Sequence, residues 1–239
     1  MPARRSLPPI DRSSVDLRRG SIFGPGRLCH HSLVDNERIA RTRRALHAVA
    51  ELVIAGPQHR AIGTIRLQAT PGGFGAVASG LRVEGTELVW GTGRAPLTGT
   101  CRSLAEAAGV DVGAPEGLYH DGAELGPDDQ LRIEDAAAGL VAEWFARGDS
   151  ALRTFAPDVG PVLWPEHFDL AISVDEVNYG VSPGDAAIPH PYAYVGPWTP
   201  REGEFWNVPF GAVRTMEQVA DHNVLAAFFT EGRERAAAD

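Results

Sequence analysis

Residues 163–198, LWPEHFDLAISVDEVNYGVSPGDAAIPHPYAYVGPW, carry the widest range of chemistry in the chain. Carboxylates (Glu166, Asp169, Asp175, Glu176, Asp185) and imidazoles (His167, His190) lie among Trp164, Tyr179, Tyr192, Tyr194 and Trp198. From His167 the residues alternate. Phe168, Leu170, Ile172 and Val174 fall on one face, and His167, Asp169, Ala171, Ser173 and Asp175 on the other. This pattern predicts a half-buried strand whose polar row meets water or a cleft. On such a strand His167 and Asp169 would stand about 7 Å apart on one side.

Two chemistries fit. In an acid–base site, His167, Asp169 and Glu166 are the candidate catalytic groups. Trp164, Tyr192, Tyr194, Trp198 and His190 then form the ligand-binding wall, because aromatic walls raise a carboxyl pKa toward neutrality. A divalent metal such as Zn²⁺ or Fe²⁺ would draw on His167, Asp169, Glu176, Asp185 and His190. The competing account makes the strand's polar face simply wet, the aromatics core, and the surrounding prolines stiffeners of loops.

Other signals are weaker. Gly180-Val181-Ser182-Pro183-Gly184 matches the nucleophile-elbow pattern, with His190 and His222 downstream. The residue after the serine should donate its N–H to the oxyanion, and Pro183 has none. Ser182-Pro183-Gly184-Asp185 reads better as a type II turn. Cys101 near a helix start, beside Arg102, could be activated but has no fixed base. Gly91-Thr92-Gly93 lacks the third glycine of a dinucleotide loop.

The chain contains no lysine, so all 22 basic residues are arginine. This excludes a pyridoxal-phosphate Schiff base and a P-loop nucleotide site of the Gly-Lys-Ser/Thr type. Formal charge is −9, but residues 1–44 carry ten arginines against four acids, so the remainder is strongly acidic. That body should repel nucleic acid and anionic membrane, and neither is expected as a partner. No apolar run approaches the roughly 20 residues of a membrane helix, and no signal peptide is visible. Two cysteines, Cys29 and Cys101, suit free thiols, which points to the cytoplasm.

The elements that must position these groups follow from periodicity. Residues 1–35, rich in Pro, Arg, Ser and Gly, read as a disordered or non-native leader, with His30-His31 inside it. A first helix starts at an N-cap, Asp35 or Asn36, and runs on Ile39, Leu46, Val49, Ala50, Val53 and Ile54 until Gly56-Pro57 stops it, with its arginines outside. Residues 62–90 predict three or four antiparallel strands. Thr98 or Thr100 caps a short helix ended by Gly109, and 113–126 is a loop. A second long helix opens at Pro127-Asp128-Asp129 and closes at Gly148, where Asp149 caps a further turn. The last helix spans about 217–235. Strands and helices come in blocks, which predicts a single α+β domain over 36–239, an antiparallel sheet packed against two or three helices.

Several blocks together resemble a family of bacterial proteins known only as a domain of unknown function. They are GTIRLQATPGG after the first helix, AEWFARGDSALRTF leading to GPVLWPEHFDLAIS, GVSPGD before PYAYVGPW, and FWNVPFGAVRT before the terminal helix. The resemblance covers about residues 45–230. Gly160 stands where the family would keep a serine. Because the family has no assigned activity, the resemblance implies a layout and no catalytic residue. The functional expectation is therefore a small-molecule-binding protein or acid–base enzyme built on 163–198. The alternative is a non-catalytic interaction or homodimer protein that uses an aromatic patch, since Trp and Tyr also concentrate at interface hot spots.

Overall fold

The computed structural model describes residues 30–119 and 122–238, with side chains from Asn36 onward. Helix α1 (His30–Ala48) leads without a break into a π segment (Val49–Ala55) and then α2 (Gly56–Ile62). The expected stop at Gly56-Pro57 is thus a widening of the helix. In an α-helix the Pro57 ring would strike the carbonyl of Val53, and opening the turn relieves that collision. The Gly56 N–H reaches back to the Glu51 carbonyl. In the same wide register the Leu52 carbonyl would wait on the N–H that Pro57 lacks, and it accepts instead from Gly113 N–H at 2.9 Å. The N-terminal boundary also moves. α1 is already formed at His30, so Asp35 and Asn36 lie inside it, as does the His30-His31 pair. The rest of the expected leader, with Cys29, lies outside the described residues.

Two antiparallel meanders share one sheet. The first comprises β1 (Leu67–Thr70), β2 (Gly73–Ala76), β3 (Arg82–Glu84), β4 (Glu87–Trp90) and β5 (Gly93–Pro96). The second comprises β6 (Val162–Trp164), β7 (Asp169–Val174), β8 (Val177–Ser182), β9 (Tyr192–Pro197) and β10 (Ala212–Thr215). The order is β10-β9-β8-β7-β6-β1-β2-β3-β4-β5, with β1 and β6 joined through one residue pair, Leu67 and Leu163. At the β10 border the Asn207 carboxamide donates to Val213 O at 3.2 Å and accepts from Val213 N at 2.8 Å.

The remaining helices are α3 (Cys101–Ala108), α4 (Asp135–Phe155) and α5 (His222–Ala238). α3 matches expectation, with a Thr100/Ser103 capping box and Gly109 left-handed at φ 70°. α4 does not. It starts well after Pro127 and passes through Gly148, where a Cβ would run into Val181 of β8. Gly148 is therefore a close-packing point, not a stop. Asp149 pairs with Arg153 at 2.8 Å along the same helix and caps nothing.

The sheet's inner face, with Leu163, Leu170, Tyr179, Val181 and Val195, packs on α4 and α5 through Trp144, Phe145, Leu225 and Phe229. The outer face of the second meander is also covered. Ala171, Tyr192, Tyr194 and Val213 form a second cluster with Ile188 and Val208 from the adjoining loops. Residues 169–172 of β7 are therefore buried on both faces, not half-buried as the alternation suggested. The molecule is a single α+β domain. No helix among the described residues is long and apolar enough to cross a membrane.

Candidate functional site

Residues 165–168 form the tight turn between β6 and β7. Phe168 takes a left-handed backbone, φ 50°, and its ring is held edge-on by Phe74 and Phe145 and stacked 5.4 Å from the His47 ring. Such a backbone costs a non-glycine residue on the order of 1–3 kcal/mol, and here burial of the ring offsets it. Glu166 and His167 consequently sit on a turn. The strand expected to carry His167 and Asp169 on one side begins only at Asp169, so His167 precedes it on the turn.

The turn meets one face of the long helix. Arg43, His47 and Glu51 recur at i, i+4 and i+8, the spacing of a single helical stripe. His47 Nε2 lies 2.6 Å from the Pro165 carbonyl and must donate to it, which leaves the lone pair of the neutral ring on Nδ1. Burial, helped by His167 and Arg43 and opposed by the Pro165 carbonyl and Asp169, lowers its pKa to about 4. Glu51, 3% exposed, belongs to the π segment and accepts from Ala123 N–H. Burial raises its pKa, while Ala123 and the facing Tyr119 hydroxyl oppose the rise. A Cβ on Gly122 would strike the Glu51 carboxylate, so glycine lets this loop close over it.

Glu166 completes the cluster. Burial, then the charges of Asp169 and Glu51, push its pKa up to about 7. Its Oε1 stands 3.8 Å from His167 Nε2, and these two side chains keep 22% and 28% of their surface, so solvent reaches the cluster through them. Asp169, 3% exposed, accepts a hydrogen bond from the buried Tyr194 hydroxyl. Tyr192 donates to Asp185 at 2.6 Å, and Asp185 raises the pKa of Arg43 against the larger lowering by burial. Trp164 faces Asp169 across the β6–β7 register under the Arg66 guanidinium, and its indole N–H is buried with no partner among the described residues.

Of the sequence-derived candidates, Glu166, His167, Asp169, Trp164, Tyr192 and Tyr194 thus gather at one end of the second meander. Trp198 does not. It follows β9 at the opposite end of that strand, 43% exposed, with its indole N–H on Asn178 Oδ1. His190 lines a separate groove with Ile39, Leu140 and Arg147. The metal set also disperses, since Glu176 lies in the far β7–β8 turn, and no three His, Cys, Asp or Glu side chains among the described residues are grouped to hold an ion. Ser182 is fully buried at the end of β8, where its Oγ accepts from Gly184 N–H, a turn role and not an elbow. Cys101 is buried, its thiol pushed up to about 12 by burial. Sequence reasoning missed Arg43, His47, Glu51 and Tyr119. The signal for three of them was present in their four-residue spacing.

Three carboxyl groups, one near half-ionisation at neutral pH, thus lie within electrostatic reach of one another beside a neutral imidazole and tyrosine hydroxyls. That set can hold and exchange a proton with a bound molecule. No protein-family model, curated protein or solved structure matches the chain.

Proposed function

We propose that the chain binds a small polar molecule at this cluster and that Glu166 acts there as general acid–base. The observation that carries the reading is the Glu166 carboxyl poised at about 7 beside Asp169 and Glu51 while still reaching solvent. Perturbed groups of this kind concentrate at functional sites. Asp169 and Glu51 would position the ligand and hold Glu166 protonated, the unused Trp164 N–H offers a donor, and His167 lines the entrance. Three acidic groups disfavour an anion, so the ligand class is a neutral or cationic molecule bearing hydroxyl, carbonyl or amine groups. A cytoplasmic, bacterial setting belongs to the same reading, supported by composition and by the resemblance of the sequence blocks.

The rival reading, an aromatic docking or dimer surface, loses two of its members. Tyr192 and Tyr194 are each 1% exposed, with hydroxyls committed to Asp185 and Asp169. The test is a thermal-shift screen of neutral and cationic metabolites at pH 6, 7 and 8, run on the wild type, Glu166→Gln and His167→Ala. Hits should stabilise the wild type with a pH dependence centred near 7 and lose that dependence in Glu166→Gln. A ¹³C NMR titration that places Glu166 at an ordinary carboxyl value would remove the proposal.

A further inference from the structure

The far end of the same strands holds a second, unrelated group of polar side chains. β7 is six residues long, so its Asp175 end lies about 20 Å from Asp169. There the two-residue β7–β8 turn, Asp175-Glu176, is left-handed at both positions (φ 52° and 60°), and Asp175 pairs with Arg233 of α5 at 2.6 Å. Between this turn, β8, Arg201 and the last turn of α5 lies a cleft of about 130 Å³, room for several waters or one small ligand.

Two groups in it are unsatisfied. Tyr179 is fully buried and its hydroxyl has no hydrogen-bond partner among the described residues; Arg201 has a buried Nε–H in the same condition. Arg201 uses one terminal nitrogen to hold the Ala236 carbonyl at 3.0 Å and has no carboxylate partner among the described residues. A partly buried guanidinium without a counter-charge is costly, and both unmet groups are donors. The lining carboxylates Asp175 and Glu176 match the guanidiniums of Arg233 and Arg201 in number, but Arg233 holds Asp175 and Glu176 is exposed at the rim, so Arg201 is the charge inside the cleft without a paired carboxylate among the described residues.

We propose that this cleft is a binding site for a small oxyanion, a carboxylate or phosphate, gripped by the Arg201 guanidinium and the Tyr179 hydroxyl. The geometry suits a planar or tetrahedral group that accepts from both donors at once, and charge-assisted bonds of this kind are the strong ones. The site is independent of the Glu166 cluster.

The test is calorimetric titration of the full chain, in oxyanion-free chloride buffer at constant ionic strength, with sodium acetate and separately with inorganic phosphate. Saturable one-site binding of either is expected, and the preferred one identifies the source chemistry. Arg201→Gln should weaken it about tenfold or more. Tyr179→Phe should weaken it too, yet raise the melting temperature of the anion-free protein, because it deletes a buried hydroxyl that has no partner. Glu166→Gln should leave the titration unchanged. Absence of saturable heat with both probes, unchanged affinity in Arg201→Gln, or a lower anion-free melting temperature in Tyr179→Phe would each overturn the proposal.

Discussion

Glu166 and His47 oppose each other across nearly the same pH interval. Glu166 holds its proton up to about 7 in the folded chain against 4.5 in an ordinary carboxyl. Between those values the unfolded chain ionises first, so stability falls as pH rises and the penalty is complete above about 7. His47 refuses a proton down to about 4 against 6.5 ordinarily, so over that window stability falls as pH drops. The two slopes offset each other. Urea melts of Glu166→Gln should unmask the His47 slope, with stability rising with pH between about 4.5 and 6.5, and should show a gain of about 1–3 kcal/mol above pH 7. Tyr194→Phe removes a donor from buried Asp169 and should cost about 1.5–3 kcal/mol in the same assay. Glu166, Asp169 and Tyr194 were legible because they lie within one short stretch of chain. Arg43, His47 and Glu51 went unread although they share one helical stripe, because nothing in the helix itself marks that stripe as covered. Glu51 is met by Tyr119, Gly122 and Ala123, His47 by the 165–168 turn and Arg43 by the Gly184 and Pro189 backbone, none of which local periodicity can bring there.

The π segment couples that loop to the site. A methyl on Gly56 would collide with the Gly113 carbonyl, displacing the strand of loop that satisfies Leu52 O and, farther along, covers Glu51. Gly56→Ala should therefore cost about 1–3 kcal/mol by denaturant midpoint. It should also pull the Glu166 midpoint down toward an ordinary carboxyl as water enters, which a merely local strain would not do. Gly-Pro spells a helix stop in sequence, and a stop and a bulge have the same local cause, the missing N–H. The supply of an outside donor, Gly113, decides between them. Gly148 misled for the same kind of reason, since its need for smallness comes from Val181 on a distant strand. By contrast, Thr100, Ser103 and Gly109 act on their own helix, so the end of α3 was readable to the residue and its cap was one of the two threonines expected.

Blocks of strands followed by helices made the α+β class legible, but not the join of two meanders at Leu67 and Leu163, whose partners lie far apart in sequence. That narrow seam does not divide the molecule, because α4 packs on β1 and β2 of one meander and β7 and β8 of the other. Unfolding should be one transition, with far-UV circular dichroism and tryptophan fluorescence superimposing. Leu163→Ala, at a site with 0% exposure, should lower stability by about 2–5 kcal/mol without splitting it. The outer borders of the sheet bear on how copies of the chain meet. β5 ends the sheet with Arg94 and Pro96, poor hosts for a newcomer strand. At the other border a single carboxamide impersonates one residue of an eleventh strand, occupying the main-chain donor and acceptor of Val213. The ladder is thereby terminated from within, and templated stacking of copies into a fibril finds no vacant rung at that residue.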